Sequence, residues 1–236
     1  MAVLFPFEKK IYDKENIPCS FVGHPLTKKV KSDLTQAKAR EKLGLKPNIK
    51  TIGLLPGSRK QEIDKILPTL IASANLLSKQ QPELQFVMPK ASSLTTEFLQ
   101  QQLPKTIQLI DDNIYDVLRA CDAVVAMSGT VTLEVALMQV PLTIVYKMSP
   151  LSFWLANRLV RIPYAGLCNI VAEQCIAKEL LQKDATPRAI AAEVLQLLDN
   201  TEYRQQRLDQ LAALDKQLQQ TSVVEQVDAV AFRTIG

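Results

Sequence analysis

Ser128-Gly129-Thr130, with Glu134 one helical turn further on, is the part of this chain best equipped for chemistry. Residues 123–127 before it have the pattern of a short buried strand. Residues 131–138 continue as an apolar helix, and residues 140–146 form a second strand. A helix that begins at such a turn aims unpaired backbone N–H groups and the positive end of its dipole at the turn, which suits an anion such as a diphosphate. Gly129 lets the backbone approach an oxygen closely, and Ser128 and Thr130 add hydroxyl donors. Glu134 lies within reach of a neighbouring diol. Together these residues describe a nucleotide-diphosphate site; the plainer alternative is a serine-capped core helix with an acid near its positive end. Gly57-Ser58-Arg59 repeats the logic at an earlier strand end. Arg59 would give a phosphate oxygen a charged donor. A helix start disfavours a cation by about 0.3–1 kcal/mol, so an arginine there points to a use; otherwise it is a solvated arginine.

Other chemically capable residues carry less. His24 is the single histidine, and beside Pro25 it suits a structural cap better than a base. Asp111-Asp112 is half of an acidic metal site, but adjacent acids diverge and no further acid cluster joins them, so no metal is expected. Cys19, Cys121, Cys168 and Cys175 lack C-x-x-C spacing and a histidine partner, which argues against zinc and for free thiols in a reducing compartment. The net charge of +4 is small, and the 28 basic residues are scattered rather than striped, which excludes a nucleic-acid track. No signal-peptide pattern is present, and no apolar run reaches the ~20 residues a membrane span needs. Phe153 and Trp154, flanked by Arg158 and Arg161, read as core or as a peripheral membrane contact.

The elements that must position these residues follow a β-α-β-α rhythm from residue 50 onward. Strands are expected at 51–55, 84–88, 107–110, 123–127 and 140–146. Helices are expected at 61–79, 95–102 and 113–121, with Pro68 kinking or restarting the first. The rhythm predicts an α/β fold with a parallel, doubly wound sheet whose strand-end turns share one ligand-binding edge. Residues 35–43 favour a helix closed by Gly44, and residues 178–182 and 186–199 are helical, the latter opening on Thr186-Pro187. Residues 203–220 place Leu208, Leu211, Leu214 and Leu218 on one helical face, which needs a surface to lie on. Residues 3–7 read as a buried-type strand without a partner, as in a piece of a larger protein.

In this order the motifs resemble the lipid-A-disaccharide synthase family, bacterial glycosyltransferases of the two-domain GT-B type. The matching pieces are Phe5-Pro6-Phe7-Glu8, Phe21-Val22-Gly23-His24-Pro25-Leu26, Leu54-Leu55-Pro56-Gly57-Ser58-Arg59, Ser128-Gly129-Thr130 with Glu134, Val145-Tyr146-Lys147-Met148 running into Phe153-Trp154-Leu155-Ala156, and the loop ending at Asn169. The resemblance implies transfer of a diacylated glucosamine from UDP to a diacylglucosamine 1-phosphate, without metal or other cofactor. It implies a UDP-sugar site of Gly57, Ser58, Arg59, Ser128, Gly129, Thr130, Glu134 and Asn169, with Glu134 accepting from the ribose and Asn169 near the nucleotide. The family's usual Leu-Pro-Asn is here Leu167-Cys168-Asn169, a loss of proline expected to loosen that loop. The family also begins with an N-terminal αβ domain that binds the acceptor and carries the acid/base residues. Residues 1–26 resemble only its last strand and linker, residues 27–200 the Rossmann-like donor domain, and residues 201–236 C-terminal helices that return to a partner domain or subunit. The implied partners are the UDP-linked donor, the lipid 1-phosphate acceptor, the inner-membrane surface of a Gram-negative-type bacterium and a second copy in a homodimer, with the protein cytoplasmic and peripheral. Two other readings stay open: a non-catalytic nucleotide-binding module that needs a separate N-terminal half, and a UDP-sugar epimerase.

Overall fold

The computed structural model describes residues 1–148 and 163–219. Its centre is a six-stranded parallel sheet made of β3 (Thr51–Leu55), β4 (Gln85–Pro89), β5 (Ile107–Ile110), β6 (Ala123–Met127), β7 (Leu142–Tyr146) and β8 (Lys178–Leu181). Their spatial order is β5-β4-β3-β6-β7-β8, the doubly wound order in which the chain runs outward from β3, returns to β6 and runs outward the other way. The strands alternate between two apolar layers, as a sheet covered on both faces requires. Ile52, Leu54, Val125, Met127 and Val145 face one layer, filled by α4 (Lys60–Gln80) and α9 (Pro187–Asp199). Leu55, Val124, Ala126 and Ile144 face the other, filled by α3 (Gln36–Lys42), α6 (Ile114–Ala120), α7 (Val131–Leu137), α8 (Leu167–Ala172) and α10 (Thr201–Gln219). A small α5 (Thr96–Gln100) precedes β5.

Local chemistry sets the helix ends. Thr35, Thr95, Asn113 and Thr186 each accept an amide hydrogen from the first turn of the helix they open, the N-cap bond that side-chain oxygens supply. Gly44, at φ +68°, closes α3. Helix α4 runs through Pro68 without restarting, because packing of Ile63, Ile66, Leu67 and Leu70, all buried, outweighs the one lost backbone bond.

Three expected elements differ. Of the residues 178–182 expected as a helix, Lys178–Leu181 form β8 and Gln182 opens a short 3-10 turn. Lys, Glu and Leu prefer helix in isolation, but β7 offers an open edge and Leu180 seats opposite Val145 in the core. Residues 3–7 are not one strand. β1 is Ala2–Val3, and α1 (Pro6–Lys14) begins at once, because Pro6 suits a first helical turn and Glu8 Oε2 accepts the amides of Leu4 and Phe5, both at 3.0 Å. β1 pairs in parallel with β2 (Ser20–Phe21) as a separate two-stranded sheet. Leu167 opens a helix instead of continuing a loop. Cys168, where proline is usual, is fully buried in that first turn, its thiol pushed up to about 12 by burial, so the segment is packed rather than loose. The leucine face of α10 lies on its own chain: Leu211, Leu214 and Leu218 are buried in the layer that holds α7 and α8, near α2 (Leu26–Lys29). The aromatic stretch at Phe153 and Trp154 and the chain beyond 219 lie outside the described residues. Among the described residues no helix is long and apolar enough to cross a membrane.

His24 has the capping role. Its Nδ1 accepts the Leu26 amide at 3.2 Å and its ring stacks on Phe5, centroids 4.6 Å apart. Burial lowers its pKa below 6.5, against a smaller opposing pull from Glu8. The folded state therefore favours the neutral ring, and its contribution to stability is present above about pH 6.5 and lost as pH falls through the depressed folded value. A protonated Nδ1 cannot accept. We expect hydrogen-exchange protection of the Leu26 amide to hold above about pH 6.5 and to fall only as the pH drops below it; protection that stays constant on acidification would show that His24 does not hold this turn.

Candidate functional site

β3 and β6 are neighbours, and the strand order reverses between them. The loop leaving β3 enters α4 and the loop leaving β6 enters α7, so both helices start at the same crevice beyond the strands' carboxyl ends, where α/β sheets take ligands. A cavity of about 350 Å³ fills that crevice. Gly57, Ser58, Arg59 and Glu62 line one side, Ser128, Gly129, Thr130 and Val131 another, with Lys90 and Ile114 at the flank. The structure thus brings together six of the eight residues expected from sequence, from segments some seventy positions apart.

Gly57 is at φ +102°, a conformation that favours glycine, and a Cβ there would stand 3.0 Å from Glu62 Oε2 and 3.1 Å from Met127 Sδ. The carbonyl of Ser58 accepts Ser93 Oγ at 2.6 Å, which fastens the loop after β4 to the turn. Arg59 is the N-cap of α4, and its exposed guanidinium pairs with Glu62 at 2.8 Å. That bond raises the Arg59 pKa further, and among the described residues the other N–H donors of the fork have no partner.

At the second turn, the Ser128 amide donates to Val145 O at 2.9 Å and continues the sheet ladder. The Ser128 hydroxyl donates to Ala165 O at 2.6 Å, so its proton is committed and it is not the free donor expected from sequence. Thr130, exposed, is the N-cap of α7. Among the described residues the amides of Gly129, Thr130 and Val131 find no backbone acceptor, while Thr132 and Leu133 donate back to the Gly129 and Thr130 carbonyls. The space beside Gly129 is open. Gly129, Thr130 and Val131 all line the cavity, so the start of α7 brings main-chain donors to its wall.

Glu134 lies a turn into α7, half-buried and just outside the cavity lining. Burial raises its pKa, partly offset by Lys29 of α2. Asn169 is not in the cavity. It is fully buried in α8, its Nδ2 donating to Ala177 O at 2.7 Å and Glu179 Oε1 at 2.8 Å, and its Oδ1 accepting the Ala177 amide at 2.9 Å. Every bond the amide makes here ties the chain to itself, because Leu167 opens a helix that turns Asn169 inward.

Sequence reasoning missed Lys90. It follows β4 at the same edge of the sheet and lines the cavity with its side chain mostly covered, held by Asp111 at 3.0 Å. The rule that strand-end loops share one edge already contained that position. Asp112 turns the other way, to Lys42 at 2.8 Å, so the acidic pair diverges.

The family model described as lipid-A-disaccharide synthetase matches residues 1–231. The chain belongs to this family. A curated lipid-A-disaccharide synthase from Coxiella burnetii (strain Dugway 5J108-111) is 46% identical over 235 residues, covering 100% of this chain and 62% of the relative. The chain therefore spans less than two thirds of that synthase's length. Among solved structures, the C-terminal domain of a group 1 family glycosyl transferase from Francisella tularensis superposes with a TM-score of 0.54 at 16% identity, covering 83% of this chain and 98% of that one. UDP-GlcNAc 2-epimerase from Neisseria meningitidis, solved with UDP-GlcNAc, gives a TM-score of 0.62 at 14% identity, covering 94% of this chain and 59% of the epimerase. At such identities the two structures share the fold with this member of the synthetase family. The fold is the α/β fold seen in GT-B glycosyltransferases, and the family is one of hexosyltransferases of lipid A biosynthesis.

Proposed function

We propose that the crevice between β3 and β6 binds the diphosphate of a UDP-linked diacylglucosamine. On this reading the chain is the donor-binding part of a lipid-A-disaccharide synthase. The single observation that carries it is the convergence of the Gly57–Arg59 and Ser128–Thr130 turns on one cavity at the point where the strand order reverses. The main-chain amides at 129–131, without an acceptor among the described residues, and the Arg59 guanidinium meet the charge that UDP gains as it leaves, and donors fixed beforehand stabilise developing charge most. Glu134, one turn along α7, accepts from the ribose hydroxyls. The acceptor is a lipid monosaccharide 1-phosphate, and its site and the acid/base residues belong to the part of the relatives that this chain does not span. The diacyl substrates call for a peripheral position on the cytoplasmic face of the inner membrane. An epimerase has less support: that chemistry needs a histidine at the sugar, and His24 is bound to Leu26 and stacked on Phe5.

Titration calorimetry of the chain with UDP tests the reading, which requires one saturable site. Absence of binding, or nucleotide density elsewhere in a soaked crystal, overturns it. Arg59→Ala should weaken binding and also make it less salt-sensitive. One phosphate-facing cation is lost, and Glu62 stands beside the anion with its charge unopposed. An unaltered salt dependence would remove Arg59 from the phosphate.

A further inference from the structure

We propose that Glu179 is the positioning residue of the crevice: its carboxylate brackets the backbone at residues 165–166 against the Ser128 turn, and Asn169 acts through it. The proposal rests on the diphosphate reading for its consequence, but not for its geometry.

Glu179 stands in the middle of β8, opposite Ile144 of β7. Oε2 accepts the Ala165 amide at 2.8 Å, and Oε1 accepts the Gly166 amide at 2.9 Å and Asn169 Nδ2 at 2.8 Å. Three N–H donors on one carboxylate make charge-assisted bonds of the stronger kind, and the residues that supply them lie outside the cavity lining. Asn169 is itself locked by two bonds to Ala177, at the entry to β8. Gly166 lets the backbone sit this low, since a Cβ there would collide with Ile144 Cδ1. The far side of the same peptide completes the bracket: Ala165 O accepts the Ser128 hydroxyl at 2.6 Å. Ser128 is also held to Val145 O through its amide. The turn that opens α7 is thus fixed from the sheet by its main chain and from the 165–166 peptide by its side chain. A carboxylate on the edge strand sets where the amides of Gly129 and Thr130 point. No other described role uses Glu179, and a side chain that only filled space would not need acceptors on both oxygens.

Glu179→Gln keeps the shape but replaces one acceptor by an NH2 that meets an N–H donor, so one arm of the bracket opens. The test uses the full chain as wild type, Glu179→Gln, Ser128→Ala and the double variant, each titrated with UDP. Nitrogen-15 spectra of the ligand-free proteins follow the Gly129 and Thr130 amides. Glu179→Gln should move both amide resonances without ligand and weaken UDP binding by about tenfold. The double variant should bind no more weakly than Glu179→Gln alone, because both changes cut one path; a general loss of stability would not produce that coupling. Unmoved amides, wild-type affinity in Glu179→Gln, or losses that multiply in the double variant would each overturn the bracket. If the wild type does not bind UDP, the diphosphate reading fails, and the ligand-free amides alone decide the bracket. Should Glu179→Gln not fold, Ser128→Ala removes only a hydroxyl from the other end, and unchanged Gly129 and Thr130 amides in it overturn the proposal.

Discussion

Glu134→Ala should weaken UDP binding by about 1–3 kcal/mol, about 5- to 150-fold, while leaving the free protein as stable as before or more so. The two effects have one cause. Burial along α7 raises the pKa of the carboxyl, and Lys29 only partly offsets it. Ionised Glu134 is therefore a cost to the folded state at neutral pH. A carboxyl whose folded pKa is raised contributes stability below its unfolded pKa, and that contribution is lost as pH rises through the folded value. Alanine relieves the cost. The same carboxylate, already partly stripped of water, makes a strong acceptor for a pair of ribose hydroxyls, and a ligand that demands the ionised form loses affinity as the group protonates. UDP binding should thus weaken on acidification from a pH above 4.5, the ordinary value for this side chain, and Glu134→Gln should flatten that dependence. Calorimetry across pH, with thermal melts of the free proteins, checks both halves. Unchanged affinity in Glu134→Ala would take Glu134 out of the site, and a large drop in melting temperature would show it to be structural instead.

The contrast between Glu134 and Asn169 shows what the sequence could convey. Glu134 is placed by local rules, since a residue four positions after Thr130 in a continuous helix must lie one turn from its start. The same holds for Gly57, Ser58 and Arg59, which sit where a buried strand ends and a capped helix begins. Strand and helix periods located those ends, and the rule that parallel crossovers share a hand brought the two turns to one edge. Asn169 depends on a longer chain of events. Its orientation follows from Leu167 opening a helix and from residues 178–181 choosing the sheet, and neither is encoded nearby. Lys-Glu-Leu-Leu has the composition of a helix, and it becomes a strand because β7 presents an unpaired edge and an apolar layer with room for Leu180. With β8 unrecognised, Glu179 could not be seen as a partner for anything. Lys90 was missed for a different reason: the shared-edge rule already put its loop beside the crevice, but no residue type in that ordinary loop marked it as a wall of the cavity.

Gly57 carries the second large effect. Gly57→Ala should lower stability by about 1–3 kcal/mol and also lose more than about tenfold in UDP affinity. At φ +102° a side chain is strained whatever the space around it, and here the added Cβ meets Glu62 Oε2 and Met127 Sδ at 3.0 and 3.1 Å. Met127 is buried at the end of β6, directly before Ser128, and has little freedom to retreat. Glu62 can move only by abandoning Arg59, which it holds at 2.8 Å. The strain therefore goes into the two features the crevice depends on, the path of the 128–130 turn and the aim of the guanidinium. Gly44→Ala supplies the comparison. Gly44 is at φ +68° with no atom within 4 Å of a new Cβ, and it closes α3 outside the cavity lining. That change should cost about 1–2 kcal/mol of stability from backbone strain alone, with UDP affinity untouched. If both variants lose stability and neither loses affinity, the Gly57 turn serves only to join β3 to α4, and the diphosphate must be held elsewhere. If affinity falls in Gly57→Ala alone, the loss belongs to the crevice, because the same kind of backbone strain has been matched at a site that faces no ligand.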